Sequence, residues 1–341
     1  MKWGLIARCD NSGLGVQTWD VYRHLKPDKT LVVDLSKHSN RTSFPERYPD
    51  ATFVYDFPNW QQLTDWMQGL DLVYCSESPY NHELYTLARE RGIKTATTFN
   101  FEFLTHLQDT GDHRYPDKWF APSLWNEDRF PENVDYLPVP VDRDLLPYKQ
   151  RTTAKTFLHV VGRRAQEDRN GTDTLLKAMK FVRGDITLRV RLQEPENLKY
   201  FQRMSDDPRI EWITQDTDNY WEIYGDADVL VLPRKYGGLC LPMQEALSLG
   251  MPVIMTNVSP NDHILPPSWR VSAQKRGEIY TRMPLDIWEA DERELAQTID
   301  RFANMTTRQM AFASRWADKI ATRLDWAVLE PLYREKFSGI I

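Results

Sequence analysis

One segment, from Val229 to Asn257, constrains the fold of this chain more than any other. Val229–Leu232 is a short apolar run of the kind that parallel sheets bury, and Gly237–Gly238 permits a turn that other residues resist. Residues 241–249 then show helical spacing, with a proline in the first turn and a glycine directly after the last. A second apolar run, residues 252–255, follows. The segment therefore predicts a strand, a glycine turn, a helix and a second strand.

A turn of this kind at the carboxyl end of a strand is suited to binding an anion. Backbone N–H groups of the turn and the positive end of the helix dipole face the space in front of the helix. Glu245 lies one turn into the helix, where a carboxylate can accept hydrogen bonds from sugar hydroxyl groups. The segment thus combines an anion site with an acceptor for hydroxyl groups.

The segment resembles the donor-site signature of retaining glycosyltransferases with the GT-B fold, the family-4-like enzymes related to glycogen and sucrose synthases. That signature reads P-S-x-x-E-G-F-G-L-P-x-x-E-A-x-x-x-G-x-P-V-I. The chain matches it in order at ten positions: Pro233, Gly238, Leu241, Pro242, Glu245, Ala246, Gly250, Pro252, Val253 and Ile254. It departs from the signature where Gly237 replaces the first glutamate and Cys240 replaces the second glycine.

The resemblance implies two Rossmann-like α/β domains that face each other across a cleft. Expected boundaries are 1–145 for an acceptor domain, 146–315 for a nucleotide-sugar donor domain and 316–341 for a helix that crosses back to the first domain. The implied reaction is hexosyl or pentosyl transfer from a nucleoside diphosphate sugar to an acceptor hydroxyl, with retention of configuration and without a metal. The leaving diphosphate assists deprotonation of the acceptor, so the enzyme acts mainly by stabilising charge on that diphosphate.

A second part of the family pattern follows the predicted strand Thr156–Val161. It reads V-G-R-x-x-x-x-K-G-x-x-x-L-L-x-A, and its arginine and lysine hold the donor diphosphate. Arg163 stands at the arginine position and can bind a phosphate through two parallel hydrogen bonds. Asn170 replaces the lysine, and Arg169 beside it restores the charge if the register shifts by one residue.

The first predicted strand of the chain is followed by a glycine loop and a helix, which is a Rossmann-like opening. The loop contains Gly13 and Gly15, but Thr18 holds the third glycine position of a dinucleotide fingerprint. In the GT-B family a glycine loop here contacts the donor diphosphate or the acceptor; a tight turn without a ligand is the alternative. Asp34, at the end of the second predicted strand, leaves a dinucleotide-dependent oxidoreductase as the runner-up.

In many members of the family a histidine closes the predicted strand Lys94–Phe99 and touches the transferred sugar. Here Asn100 occupies that place; it can hydrogen-bond a hydroxyl but cannot act as an acid or base near neutral pH. Glu102 and Glu77 are the nearby carboxylates that can supply a base, or they are surface carboxylates without a role in catalysis.

These arguments give a defined set of candidate site residues. The candidates for catalysis are Arg163, Glu245, Asn100 and Glu102. The candidates for donor binding are Gly13, Gly15, Arg163, Arg169, Asn170, Gly237, Gly238, Leu239, Cys240, Leu241 and Glu245, the last one at the ribose. With the first glutamate missing, we expect Lys235 or Tyr236 to take its place, and an unusual donor sugar or lowered activity that Gly237→Glu would reverse.

Composition and cysteine usage limit the other classes of protein. A net charge of −6 speaks against a dominant nucleic-acid footprint. The three scattered cysteines suit reduced thiols and a cytoplasmic location, and no apolar run reaches the roughly 20 residues of a transmembrane helix. No cluster has zinc spacing, and Asp226–Asp228 precedes a strand, so we predict neither a metal nor a cofactor beyond the nucleotide sugar as co-substrate.

The acceptor is not encoded in any recognisable motif. A small molecule or a glycan fits the acidic balance; a hydroxymethylated base of phage DNA would use base flipping and the basic segments Lys37–Arg47 and Lys149–Lys155. A lipid acceptor would require an amphipathic basic helix, and none stands out. The competing class is a degenerate, non-catalytic nucleotide-sugar-binding protein, because the first glutamate, the lysine and the histidine of the family are all replaced.

Overall fold

A computed structural model describes residues 1–39, 41–104, 114–130, 132–162, 167–215 and 217–341. It divides into two compact units, which we call the N-terminal unit (Met1–Pro140 with Trp326–Ile341) and the C-terminal unit (Val141–Asp325). Each unit is built on its own parallel sheet flanked by helices, which confirms the predicted pair of Rossmann-like α/β domains.

The strands are β1 Trp3–Ala7, β2 Lys29–Val33, β3 Thr52–Val54, β4 Leu72–Ser76, β5 Lys94–Thr98, β6 Lys118–Ala121, β7 Val134–Tyr136, β8 Thr156–Val160, β9 Thr187–Arg191, β10 Ile210–Ile213, β11 Val229–Leu232, β12 Val253–Thr256, β13 Arg270–Val271, β14 Ala273–Tyr280 and β15 Pro284–Ala290. The α-helices are α1 Gly13–Leu25, α2 Ser36–Ser39, α3 Trp60–Met67, α4 Glu83–Glu90, α5 Thr172–Ala178, α6 Leu198–Gln202, α7 Leu241–Ser248, α8 Asn261–Ile264, α9 Glu292–Ala303, α10 Thr307–Ala321 and α11 Trp326–Ser338.

The sheet of the N-terminal unit has the order β3-β2-β1-β4-β5-β6-β7, with every pair parallel. Its central strands β1 and β4 are buried along their whole length, as expected for a sheet covered on both faces. The last helix, α11, belongs to this unit because Phe337 packs against Trp3 and Tyr74, with ring centroids 5.3 and 4.9 Å apart.

The sheet of the C-terminal unit has the order β10-β9-β8-β11-β12-β13, again parallel throughout, and the antiparallel hairpin β14–β15 stands beside it. In both sheets the strand order reverses next to the first strand of the unit, between β1 and β4 and between β8 and β11. Ligands of open α/β sheets bind at the carboxyl ends of the strands at such a reversal. The topology therefore predicts that ligands bind at the loops after these four strands.

Candidate active site

The segment from Val229 folds as predicted into β11, a glycine turn, α7 and β12. Gly237 has φ of +115°, a region that side chains with a Cβ rarely enter. Within the described residues, the backbone N–H groups of Gly238, Leu239 and Leu241 have no hydrogen-bond acceptor. Because these donors lie at the N-terminus of α7, they provide the positive end of a helix dipole for an anion.

Two arginines lie against this turn. A Cβ on Gly237 would be 2.5 Å from Nη2 of Arg234 and 3.0 Å from Nε and Nη2 of Arg169. Arg234 also donates to the carbonyl of Leu239 at 2.7 Å and so fixes the shape of the turn, while the guanidinium of Arg169 lies over the ring of Tyr236 at 5.2 Å. The turn therefore carries positive charge beside its free N–H donors.

Arg234 is a site residue that the sequence reasoning missed. The family signature has a serine directly after the proline that ends the strand, and Arg234 stands in that place. The signal was present in the sequence as a charged residue at the carboxyl end of a buried strand. The crowding also changes the meaning of Gly237→Glu: the variant would strain the backbone and push against Arg234, so it does not simply restore a missing carboxylate.

The loop after β8 is tied to the same turn by backbone contacts. Gly171 has φ of +73°, and a Cβ there would overlap the carbonyl oxygen of Pro233. The N–H of Lys235 donates to the carbonyl of Arg169 at 2.8 Å. Arg169 is therefore held in place by its own backbone, next to the glycine turn, where the shifted register predicted a cation.

Asn170, at the lysine position of the family, uses its amide within the protein. Its Nδ2 donates to the carbonyl of Val160 at 2.8 Å and to that of Val161 at 3.2 Å. This arrangement holds the loop close to the end of β8. Arg163, the predicted phosphate-binding arginine, lies outside the described residues.

Lys235 is engaged in a buried ion pair. Its Nζ donates to Oδ2 of Asp173 at 2.9 Å. Burial opposes the charged form of Lys235, but the bond and the attraction to Asp173 outweigh it and raise the pKa of the lysine. The positive charge of Lys235 is therefore already neutralised within the C-terminal unit, which limits its use as a replacement for the missing glutamate.

A buried polar cluster lies beneath this loop. Nδ1 of His159 is 2.7 Å from the carbonyl of Val231, and its Nε2 is 2.9 Å from Oγ1 of Thr172. Burial lowers the pKa of His159 to about 4, so the ring is neutral and its Nδ1 donates to the carbonyl. Oδ1 of Asp168 lies 3.1 Å from the Thr172 hydroxyl, its Oδ2 accepts from the N–H of Asp173 at 2.7 Å, and burial raises the pKa of Asp168. These groups organise the N-terminus of α5.

Glu245 lies on α7 with its side chain almost enclosed, at 6% exposure. The hydroxyl of Tyr224 donates to its Oε2, and burial raises the pKa of Glu245 to about 7. Tyr224 is a second neighbour that the sequence reasoning missed, because it lies 21 residues earlier in a different turn. Cys240 is buried at the position before α7 and makes no capping bond.

The glycine loop of the N-terminal unit is built around a carboxylate. Asp10 accepts hydrogen bonds from the N–H of Ser12 at 2.9 Å, from the Ser12 hydroxyl and from the guanidinium of Arg8. Gly15 is buried, and a Cβ there would overlap the carbonyl oxygen of Asp10, whereas Gly13 is exposed as the first residue of α1. Gly15 is therefore required for packing.

The predicted acceptor-side residues lie at the carboxyl edge of the N-terminal sheet. Asn100 is half-buried after β5, and Glu102 is buried in the short turn that follows. Glu77, after β4, has φ of +62° and accepts from Nε2 of Gln17 at 3.0 Å. Asp34 accepts from the N–H of Ser36 at 2.9 Å, and such bonds lower its pKa although burial acts to raise it.

The described ranges offer neither a cluster of metal ligands nor a helix that could span a membrane. There, no group of three His, Cys, Asp or Glu side chains is placed to hold a metal ion. Asp226 pairs with Arg189, and Asp228 accepts from the backbone N–H of Lys155 at 2.8 Å, as expected for structural carboxylates. No helix in this part of the chain has the length and apolar character needed to cross a bilayer.

Residues 155–275 match the sequence profile of the family described as glycosyl transferases group 1. No curated protein matches the chain by sequence. This matched region contains the two loops and the helix that form the site described above.

Similar solved structures extend over nearly the whole chain. HepE of Anabaena, in complex with UDP and glucose, has a TM-score of 0.73 at 12% identity and covers 99% of this chain and 100% of its own. Sucrose-phosphate synthase of Thermosynechococcus elongatus has a TM-score of 0.69 at 15% identity, with coverages of 99% and 100%. A glycosyltransferase of Rickettsia africae has a TM-score of 0.69 at 12% identity, with coverages of 99% and 98%.

At these identities the structural matches establish the fold, and the family match covers residues 155–275, which are part of the C-terminal unit. Together they confirm two predictions, the GT-B class of fold and an enzyme of glycosyl transfer. The chain has two Rossmann-like domains of the GT-B type and carries a group 1 glycosyltransferase domain over residues 155–275, and it is a glycosyltransferase.

Proposed function

We propose that this enzyme transfers a sugar from a nucleoside diphosphate sugar to an acceptor hydroxyl, with the donor diphosphate bound at the β11–α7 turn. The observation that carries the proposal is the pair of arginines, Arg169 and Arg234, beside the available N–H groups of the turn. A bound diphosphate is stabilised by several hydrogen-bond donors and by positive charge at one place. The complex of HepE with UDP, a protein of similar fold, supports this choice of donor class.

The same groups support a reaction that needs no metal ion. As the glycosidic bond breaks, negative charge builds on the leaving diphosphate, and preorganised donors at that point stabilise the transition state. The two guanidinium groups supply charge that a divalent cation would otherwise supply. Retention is supported by the ten matches to the signature of retaining enzymes, and it leaves deprotonation of the acceptor to the diphosphate itself.

Glu245 is proposed to bind the donor ribose. Its carboxylate is buried one turn into α7, and its Oε2 accepts from the hydroxyl of Tyr224. We assign the second oxygen, Oε1, to a ribose hydroxyl. A carboxylate accepts such bonds most strongly when it is ionised. Because the pKa of Glu245 is about 7, we propose that nucleotide affinity rises as the pH increases through neutrality.

For the acceptor, we propose a glycan bound at an exposed aromatic row on the N-terminal unit. Phe53 and Tyr55 stack with their ring centroids 6.4 Å apart, and Tyr55 and Phe57 are 60% and 58% exposed at the carboxyl end of β3. Asp56 between them is exposed as well, beside His38 at 3.3 Å. Aromatic faces beside a carboxylate that can accept from hydroxyl groups suit a neutral sugar ring.

Calorimetric titration with UDP, GDP and ADP tests the donor site. We expect one nucleotide to bind, and Arg169→Ala to weaken it about 10- to 100-fold because a charge-assisted hydrogen bond is lost. Arg203→Ala, at an exposed residue directly after α6, is the matched control and should leave affinity unchanged. Absence of binding, or equal binding by Arg169→Ala, would contradict the assignment.

Product analysis then separates the acceptor classes and the non-catalytic alternative. The enzyme is incubated with a sugar conjugate of whichever nucleoside diphosphate binds in the titration. The acceptor is either a mixture of oligosaccharides or hydroxymethylated DNA. The proposal predicts glycosylated oligosaccharide, and Tyr55→Ala with Phe57→Ala should raise the acceptor KM while nucleotide affinity stays constant. Glycosylated DNA would show that the acceptor is a DNA base and not a glycan. Nucleotide binding without any product would indicate a non-catalytic binding protein.

A further inference from the structure

Helix α10 has an exposed face that is both basic and aromatic, although no amphipathic basic helix stood out in the sequence. Its exposed side chains include two aromatic residues and three cations, and a fourth cation follows in the next turn: Arg308, Phe312, Arg315, Trp316, Lys319 and Arg323. Their spacing of three or four residues places them along one side of the helix. We refer to these six residues as the basic-aromatic face.

The aromatic residues of this face are turned away from the core. Phe312 is 61% exposed and Trp316 is 39% exposed, and their rings stack with centroids 6.3 Å apart. The core side of α10 instead carries small residues, among them Ala313 and Ala317, where the helix packs on α7. The helix thus buries its small residues and exposes its two large aromatic ones, which is the reverse of what burial of apolar area favours. This arrangement indicates a surface for binding.

The charge on the face is uncompensated within the described part of the chain. None of Arg308, Arg315 and Arg323 forms an ion pair there, and Lys319 lies over the Trp316 ring at 5.1 Å. The one acidic residue of the helix, Asp318, is half-buried and pairs with Arg143. Four cations without an acid on one face stand out in a chain whose net charge is −6.

From this composition we infer that the basic-aromatic face binds the surface of a membrane that contains anionic phospholipids. Trp and Phe are favoured at the boundary between headgroups and acyl chains, and Lys and Arg beside them reach the lipid phosphates. From Arg308 to Lys319 the face extends about 16 Å along the helix, so the cations reach several headgroups at once.

Two other partners fit the face less well. A second copy of this chain would bring the same four cations against each other, and the repulsion would oppose a symmetric dimer. A DNA duplex would attract the cations but has no apolar layer in which Phe312 and Trp316 can be buried. The membrane surface offers both an anionic layer and an apolar layer at adjacent depths.

Vesicle co-sedimentation tests the inference with the full chain and without a nucleotide. We expect binding to phosphatidylcholine vesicles that contain about 30% phosphatidylglycerol, and none to phosphatidylcholine alone, because each cation contributes about fivefold to partitioning at an anionic surface. Arg315→Glu with Lys319→Glu should lower the partition coefficient at least about 25-fold. Raising NaCl from about 0.05 M to about 0.5 M should weaken wild-type binding about tenfold or more.

Matched variants separate this face from general charge effects. Lys199→Glu with Arg203→Glu makes the same change in net charge on exposed residues near α6 and should bind like the wild type. Phe312→Ala with Trp316→Ala should bind only at low salt, because the apolar contribution is lost while the cations remain. Thermal melting of each variant checks that it is folded.

Three results would overturn the inference. One is absence of wild-type binding to the anionic vesicles, and a second is an equal loss of binding in the α6 control. The third is salt-dependent binding of a single-stranded or duplex oligonucleotide that Arg315→Glu with Lys319→Glu abolishes, together with no binding to vesicles. That last result would assign the face to nucleic acid instead.

Discussion

The two glycine turns of this protein have the same framework but differ in the charges that lie against them. The first turn follows β1 and leads into α1, and the second follows β11 and leads into α7. Both strands border the point at which the strand order of their sheet reverses. In the N-terminal unit the loop closes around Asp10, which already binds the N–H and hydroxyl of Ser12 and the guanidinium of Arg8. In the C-terminal unit the turn has Arg169 and Arg234 beside it, and N–H groups remain available.

The difference shows that a strand–glycine–helix pattern specifies a backbone and not a ligand. An anion binds where positive charge lies beside backbone N–H groups that have no acceptor within the protein. Asp10 takes the place of an external anion in the first loop. The C-terminal turn is thus the stronger candidate for the donor diphosphate, and the role of Gly13 and Gly15 at the donor stays a prediction.

The largest expected effect concerns packing at the first loop. Gly15→Ala places a Cβ onto the carbonyl oxygen of Asp10, so the backbone must move, and we expect a loss of about 4 kcal/mol in the free energy of unfolding. Gly13→Ala, at an exposed helical residue of the same loop, should change it by less than about 0.5 kcal/mol. Urea denaturation measures both. Similar values for the two variants would mean that Gly15 is not a packing glycine.

The next effect is the dependence of stability on pH at α7. Burial raises the pKa of Glu245 from 4.5 to about 7, so between these values the folded state binds more protons than the unfolded state. The free energy of unfolding therefore falls as the pH rises from about 4.5 to about 7, by as much as about 3 kcal/mol from this residue. In Glu245→Gln this contribution is absent. Denaturation curves across that range measure the difference, and parallel curves for the two proteins would refute the assignment.

A smaller effect is expected at the ion pair that supports the second turn. Asp173→Asn keeps the shape of the side chain but leaves the buried charge of Lys235 without its partner. Because the Asp173 side chain is 21% exposed, water relieves part of the cost, and we expect about 2 kcal/mol of destabilisation. Asp226→Asn, which removes the exposed pair with Arg189, is the control and should cost less than about 1 kcal/mol. Equal losses would show that burial does not distinguish the pairs.

The smallest expected effect tests whether the charge of Asp10 accounts for the difference between the two loops. Asp10→Asn removes the negative charge beside Arg8 while an amide oxygen can still accept from Ser12. If the charge of Asp10 is what separates the two loops, the variant should gain weak affinity for pyrophosphate, with a Kd of about 1 mM. The titration is made with Arg169→Ala in both proteins, so that the C-terminal turn does not contribute. No gain over Arg169→Ala alone would mean that geometry, and not charge, excludes the anion.

Much of the C-terminal unit was predictable because its signals are local. The apolar run of β11, the positive-φ glycine and the proline at the start of α7 each act within a few residues, and the structure follows them. The register shift that placed a cation at Arg169 agrees with its position beside Gly237. Arg234, by contrast, was hidden because the family pattern has a serine there, and only the folded chain shows which side of the turn it occupies.

The sequence by itself determined the class of fold and the strand–turn–helix–strand order of the segment from Val229, because glycine, proline and apolar periodicity act over short distances. The hairpin β14–β15 was not predicted. Only the tertiary structure decided where the charges lie. It pairs Lys235 with Asp173 and places Arg169 beside the turn, and it faces the alanines of α10 inward and Phe312 outward. The pairing of charges and the facing of helices depend on contacts between residues that are far apart in the chain, and a local sequence pattern does not contain those contacts.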